Sequence, residues 1–358
     1  MKSAPDKILI LRLSSIGDIL LTTPLVRALR SRFPDAEIDY ALKEPFIDLL
    51  RTNPNLNRLH TLDPAGGWRA LWRLRRDIGE AGYDLVVDVH KNIRTLFLRT
   101  AAKPAQIAKH SKSRLQRHLL VNFGINLYRR SVPMTERYLA SVSHLGVFDD
   151  GAGLELILDP EADRRVAGIL TGRGWRPGRF TAALVPGAGR QTKQWPADRY
   201  AEVARILAGT RDAQILILGD GRDVESACTV TRAAPESSFP VAGEFGLMES
   251  ACALSRADLV ICNDSGAMHM ARALNLNTVA IFGPTTRELG FYPAGARVKV
   301  VEHKGLDCRP CSHIGPKKCP KKHFRCMLEL EPEQVLAAAD ELLNKSAVNH
   351  GKENRERR

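Results

Sequence analysis

No stretch of this chain stays apolar for the roughly 20 residues that a membrane-spanning helix requires. The opening MKSAPDKILILRL turns polar before a signal-peptide core is complete. Both absences lead to the expectation of a cytoplasmic protein. Two nucleotide fingerprints are missing from the turn after the first strand pattern. Leu13-Ser14-Ser15-Ile16-Gly17-Asp18 is neither a G-x-G-x-x-G dinucleotide loop nor a G-x-x-x-x-G-K phosphate loop, so neither a dinucleotide oxidoreductase nor a P-loop kinase is supported. Acid is absent where base is most concentrated: residues 91–130 carry ten Lys and Arg and no Asp or Glu. Aromatic residues are sparse there, only Phe97, Phe123 and Tyr128, which argues against a platform for stacking single-stranded bases.

What is present describes a soluble globular protein. The chain has 358 residues, 44% hydrophobic and 26% charged, a length that accommodates two domains of ordinary size. Its net charge of +13 is concentrated in the acid-free segment, where uncompensated cations repel one another and point to a polyanionic partner. Nucleic acid is one candidate, and a phosphorylated lipid head group or anionic membrane surface is the other.

Apolar runs alternate with helical patterns along most of the chain. The first half gives KILILRL, ILLTTPLVRALRSRF, EIDYALK, a short helix, RLHTLD, a helix over 69–78 and LVVDVH. The second gives TAALVPGAG, ADRYAEVARILAG, AQILILGDG, DVESACTVTRA, LMESACALSRA, ADLVICND and NTVAIFGP. Continuous apolar strands between helices indicate parallel sheets covered on both faces. The expected fold is therefore α/β, two Rossmann-like doubly wound domains facing a central cleft. The Gly- and Pro-rich connections between 146 and 180 place the boundary, giving residues 1–150, residues 151–344 and a disordered tail over 345–358.

Four strand-end turns hold the residues that carry chemistry. Asn263-Asp264-Ser265-Gly266 ends an apolar run and opens a helix, so the unpaired N–H groups of that helix face whatever sits before it. His269 lies one turn after Ser265 on the same face. Helix capping by Asp264 or Ser265 explains the turn alone, but its companions make an anion site the better reading. Gly187 and Gly189 in Pro186-Gly187-Ala188-Gly189 permit close backbone approach, and Lys193 stands before a helix whose start is marked by Pro196. Leu218-Gly219-Asp220-Gly221-Arg222-Asp223 offers acids for ribose hydroxyls. Asp18 sits at a helix N-terminus that favours its ionised form, and a carboxylate there suits either a cap or a general base.

SSIGDILLTTP, PGAGRQTKQWP, NDSGAMHMA with FGPT, and CRPC together resemble the ADP-heptose:lipopolysaccharide heptosyltransferases of glycosyltransferase family 9, from about residue 7 to about residue 340. The resemblance implies a GT-B fold and inverting, metal-independent transfer of heptose from ADP-heptose to the inner core of lipopolysaccharide. It implies Asp18 as the base for the acceptor hydroxyl and Lys193 as the cation on the donor phosphates. Asp264, Ser265, Gly266 and His269 then cradle pyrophosphate and sugar, Asp223 contacts the ribose and Phe245 flanks adenine. Gly187 and Gly189 replace hydroxyl-bearing residues of some relatives, leaving backbone contacts. The acid-free segment gains an anionic lipopolysaccharide precursor as partner, gripped by Lys91, Arg94, Lys112, Arg114 and Arg117 at the periphery of the inner membrane. The resemblance implies no nucleic-acid partner. The rivals are a transferase for another nucleotide sugar and a non-catalytic binder of anionic lipid or nucleic acid.

Three of the seven cysteines, Cys228, Cys252 and Cys262, fall in apolar or helical patterns and are expected as reduced core residues. Cys308, Cys311, Cys319 and Cys326 form C-x2-C-x7-C-x6-C with His313 and His323 nearby. They supply enough thiolates for structural zinc or an iron–sulfur cluster, but the spacing is denser than in zinc ribbons. The favoured expectation is free thiols in an ordered loop and no cofactor.

Overall fold

The computed structural model describes residues 4–356. Two parallel sheets account for the strands, and each belongs to its own compact unit. The first unit comprises residues 1–113 and 132–157, and the second residues 114–131 and 158–358.

The first sheet is built from β1 (Lys7–Leu11), β2 (Glu37–Lys43), β3 (Arg58–Leu62), β4 (Leu85–Asp88) and β5 (Gln106–Lys109), in the order β3-β2-β1-β4-β5. The helices of this unit are α1 (Ile16–Leu20), α2 (Thr23–Arg32), α3 (Gly67–Ala81) and α4 (Ile93–Arg99), with α6 (Met134–Leu139) in its later segment. α5 (Arg114–Phe123) lies between them in the chain. Ile8, Leu9, Ile10 and Leu11 are fully buried, because helices cover both faces of the sheet and leave no polar side for alternation to mark.

The second sheet runs β11-β10-β9-β6-β7-β8, from β6 (Thr181–Val185), β7 (Gln214–Ile217), β8 (Ser238–Pro240), β9 (Leu259–Asn263), β10 (Thr278–Phe282) and β11 (Val298–Glu302). Counted from β6, that is the strand order of the dinucleotide-binding fold. Its helices are α7 (Pro160–Gly172), α8 (Ala197–Arg211), α9 (Val224–Ala233), α10 (Leu247–Leu254), α11 (Gly266–Ala273), α12 (Arg325–Leu328) and α13 (Pro332–Glu356). In each sheet the chain winds one way and then the other, so the turns after two adjacent central strands diverge and leave a crevice at their carboxyl ends. Those strands are β1 and β4 in the first sheet and β6 and β9 in the second.

The expected tail needs correction. Residues from 345 continue α13 as far as Glu356, in a stretch that contains no proline to break the helix. Residues 357 and 358 lie outside the described range. The segment 114–131 also groups with the second unit rather than with the residues on either side of it. There the Ser131 hydroxyl donates to the Arg287 carbonyl at 2.6 Å.

Candidate active site

The crevice between β6 and β9 gathers most of the residues singled out in the second half. Asn263, fully buried at the end of β9, accepts from the Trp195 backbone N–H at 3.0 Å and donates to the Pro186 carbonyl at 2.7 Å. One amide thus ties the glycine turn and the turn carrying Lys193 to the same strand end. Lys193 closes a single 3-10 turn over Gln191–Lys193, and its Nζ stands 2.7 Å from Asp264 Oδ2. The Thr285 hydroxyl donates to the same oxygen at 2.7 Å. An ammonium has three donors, so the bond to Asp264 fixes Lys193 without exhausting it.

Ser265 is the N-cap of α11, with extended backbone, and Gly266 is the first helical residue. The Ser265 Oγ is buried without a hydrogen-bond partner. A buried hydroxyl in that state costs stability, and here it lies where the N–H groups of α11 favour an anion. His269 is buried one turn further along.

Gly187 and Asp223 are brought into direct contact. A Cβ on Gly187 would stand 2.1 Å from the Asp223 carboxylate, and one on Gly219 would stand 2.6 Å from the Asp223 Cβ. The carboxylate accepts from the Asp220 N–H at 2.9 Å. Burial pushes its proton affinity up, against the pull of that N–H. Gly189 differs, with open space where a Cβ would be. The β8–α10 turn meets the same region, since the Gly243 N–H donates to Gly219 O at 3.0 Å. Half-buried Phe245 follows two residues later.

In the first unit Asp18 occupies the crevice between β1 and β4. Its Oδ1 is 2.5 Å from Arg12, and its Oδ2 accepts from the Ser15 hydroxyl at 3.0 Å and the Ser15 N–H at 3.3 Å. Burial alone raises the carboxyl pKa, but Arg12 and Ser15 outweigh it and hold the group below its ordinary value. Arg12 is itself fixed by the carbonyls of Ser14 and Val89 at 2.9 and 3.0 Å. His90 Nδ1 accepts from the Leu13 N–H at 3.0 Å. Burial and then Arg12 depress both nearby histidines, His90 to about 4 and His110 to about 3, so both are neutral at physiological pH.

The basic residues divide between the two units. Lys91 Nζ donates to the His110 carbonyl at 3.2 Å and Lys112 Nζ to the Lys91 carbonyl at 2.7 Å, while Arg94 on α4 is exposed. Arg114 and Arg117 lie on α5 in the second unit, so the five do not form one cluster within either unit.

Cys308, Cys311 and Cys319 are half-buried and Cys326 is buried, all as free thiols. Burial and the neighbouring cysteines push Cys311 up to about 12, and burial pushes Cys326 to about 11. Cys308 Sγ lies 3.8 Å from His323 Nε2. Among the described residues no three His, Cys, Asp or Glu side chains are placed to hold a metal ion. The loop instead braces the crevice. Arg309 donates to the carbonyls of Gly283 at 2.5 Å and Thr285 at 2.9 Å and pairs with Glu302 at 2.7 Å. Thr192 donates to Pro316 O at 2.5 Å. Gly315, at φ +83°, packs against the Lys193 stem, where a Cβ would meet its Cε at 3.1 Å.

The family model for glycosyltransferase family 9 (heptosyltransferase) matches residues 71–322. The chain belongs to glycosyltransferase family 9. The lipooligosaccharide heptosyltransferase 2 of Campylobacter jejuni is 27% identical to it over 338 residues, covering 92% of this chain and 96% of the relative. Among solved structures, the family-9 glycosyltransferase of Veillonella parvula superposes with a TM-score of 0.76 at 23% identity, covering 95% of this chain and 97% of that one. The Escherichia coli ADP-heptose lps heptosyltransferase II gives a TM-score of 0.72 at 23% identity, over 95% and 99%. The fold of this family-9 chain is thus the GT-B fold of two Rossmann-like domains.

Four contributors to this family-9 site carry no signal of their role in the sequence. Arg12 was visible only as a lone charge closing an apolar strand, and His90 as a histidine at the end of another. Asn263 stands in the sequence only as part of the NDSG turn, and Thr285 only as part of FGPT. Each owes its importance to a partner remote in sequence.

Proposed function

We propose that this family-9 glycosyltransferase moves heptose from ADP-heptose to the inner core of lipopolysaccharide, at a Kdo- or heptose-bearing lipid A acceptor, with inversion. The observation that carries the reading is the convergence of Lys193, Asp264, the unpartnered Ser265 hydroxyl and the N-terminus of α11 at one switch point. A leaving diphosphate is the group whose developing charge such an arrangement stabilises. In the reaction the acceptor hydroxyl gives its proton to the Asp18 carboxylate as its oxygen attacks the anomeric carbon. The bond from that carbon to the phosphate oxygen breaks, and ADP leaves with the electron pair. Asp18 is ionised and hence ready to accept, while Arg12 keeps it from holding the proton strongly. The names of the Campylobacter jejuni and Escherichia coli relatives support the sugar, the donor and the acceptor.

Positive charge for the departing diphosphate comes from Lys193 and the α11 N–H groups, so the reading requires no metal ion. Chelator should leave turnover unchanged. Elemental analysis of the purified protein should find no stoichiometric zinc or iron at Cys308, Cys311, Cys319 and Cys326. On this reading the enzyme works in the cytoplasm at the periphery of the inner membrane, with Lys91, Arg94 and Lys112 in the first unit and Arg114 and Arg117 in the second as cationic contacts to the anionic acceptor.

The deciding experiment is Asp18→Asn with calorimetry. Turnover should fall by about 10² to 10⁴-fold, with ADP-heptose still bound and UDP- and GDP-sugars bound far more weakly. Unchanged turnover would remove Asp18 from the chemistry, and tighter binding of another nucleotide sugar would replace the donor.

A further inference from the structure

A surface on α3 and α4 that the transferase chemistry does not use carries its own inference, one that rests on the lipid-anchored acceptor proposed above. Trp68 and Trp72, one turn apart on α3, are 66% and 58% exposed. Both meet Phe97 of α4 edge-on, with ring centroids 6.1 and 4.9 Å apart. Ile93 and Leu96 precede Phe97 by four and one residues and are 80% and 46% exposed, which extends the apolar stripe along α4. Large apolar groups gathered in one exposed patch mark a contact surface.

The patch is also cationic. Arg75 stacks over Phe97 at 4.3 Å and over Trp72 at 5.8 Å. Arg76 is occupied by Asp77 and Glu80 at 3.3 and 3.7 Å. Exposed Arg69 and Arg73, which flank the tryptophans, have no acidic partner among the described residues. Tryptophans bordered by unpaired arginines suit the head-group layer of a negatively charged bilayer, where the rings partition into the interface and the guanidinium groups meet phosphates. A second copy of the chain fits poorly, because it would bring the same cations face to face. On α3 the patch occupies the first half of the helix, and α3 and α4 follow the carboxyl ends of β3 and β4. That is the edge of the sheet on which Asp18 stands.

We propose that the α3–α4 face, centred on Trp68, Trp72 and Phe97 with Arg69 and Arg73, docks this enzyme on anionic phospholipid and holds the Asp18 edge toward the bilayer. Tryptophan emission reads the contact directly, because the other two tryptophans, Trp175 and Trp195, are buried. Vesicles of phosphatidylethanolamine and phosphatidylglycerol should blue-shift the emission and co-sediment with the protein, and phosphatidylcholine vesicles should do neither. The W68A/W72A variant should lose the shift and bind roughly tenfold more weakly. The R69E/R73E variant keeps both reporters and should bind at least roughly 30-fold more weakly. Wild-type protein that ignores phosphatidylglycerol would overturn the proposal. So would W68A/W72A binding as well as wild type, or sedimentation showing a dimer that this variant dissociates. Both variants should transfer heptose to an acceptor stripped of its acyl chains as fast as wild type. If wild type fails to transfer while vesicle binding follows the pattern above, the transferase reading falls and the docking surface stands.

Discussion

At the scale of single residues, two contacts separate a designed site from ordinary loop chemistry. Gly187 is pressed against the Asp223 carboxylate, whereas Gly189, two residues on, faces open space. Gly187→Ala should therefore displace Asp223 and lower kcat/KM for the donor by about 10²-fold. Gly189→Ala should stay near wild type, and steady-state kinetics on the pair checks both. Arg12 bears on the base in a different way. Because the pKa of Asp18 is depressed, its basic form persists as pH falls and is lost only below the ordinary carboxylate value of about 3.9. The acid limb of the kcat/KM profile should lie below that value in wild type. Arg12→Gln removes the compensating charge and leaves the burial, so the limb should move up. The stability that Asp18 contributes has the same sign: complete above its unfolded pKa, lost as pH falls through the lower folded one.

At the scale of elements, the crevice between β6 and β9 is held by groups outside it. Asn263 joins three turns through two buried bonds. Asn263→Ala would orphan both the Trp195 N–H and the Pro186 carbonyl, at a cost of about 1–3 kcal/mol for each group left unpaired. The cysteine loop acts through Arg309, which is almost fully buried beside Glu302. Arg309→Met leaves Glu302 partly buried without its cation, so the urea midpoint should drop by the equivalent of about 3 kcal/mol. Donor KM should rise as well, because the β10 turn carrying Thr285, and with it Asp264, loses its brace. Equal donor KM values in the variant and the wild type would confine the loop to a purely stabilising part.

For the whole molecule, the net charge of +13 matters most against a polyanionic acceptor. Raising salt screens the approach of such a partner. Acceptor KM should therefore climb with ionic strength while kcat stays nearly level, in an assay at saturating ADP-heptose. The division of the chain adds a constraint that charge counting does not contain. Arg114 and Arg117 belong to the second unit and Lys91, Arg94 and Lys112 to the first, so a single run of cations in sequence is divided between the two units.

The sequence by itself determined that there are two parallel α/β units, because fully buried strands read as continuous apolar runs between helices. It also located the Gly187, Lys193, Asp264 and Asp18 turns, since small and polar residues at strand ends are local signals. Tertiary structure alone decided which of those residues meet. The Lys193–Asp264 pair, the contact of Gly187 with Asp223 and the Arg12–Asp18 pair depend on side-chain direction and strand order, which residue spacing does not encode. The helical course of residues 345–356 and the placement of 114–131 also escaped the sequence. Polar composition describes an exposed helix as well as a tail, and unit membership is fixed by contacts such as Ser131 to Arg287 between positions far apart in the chain.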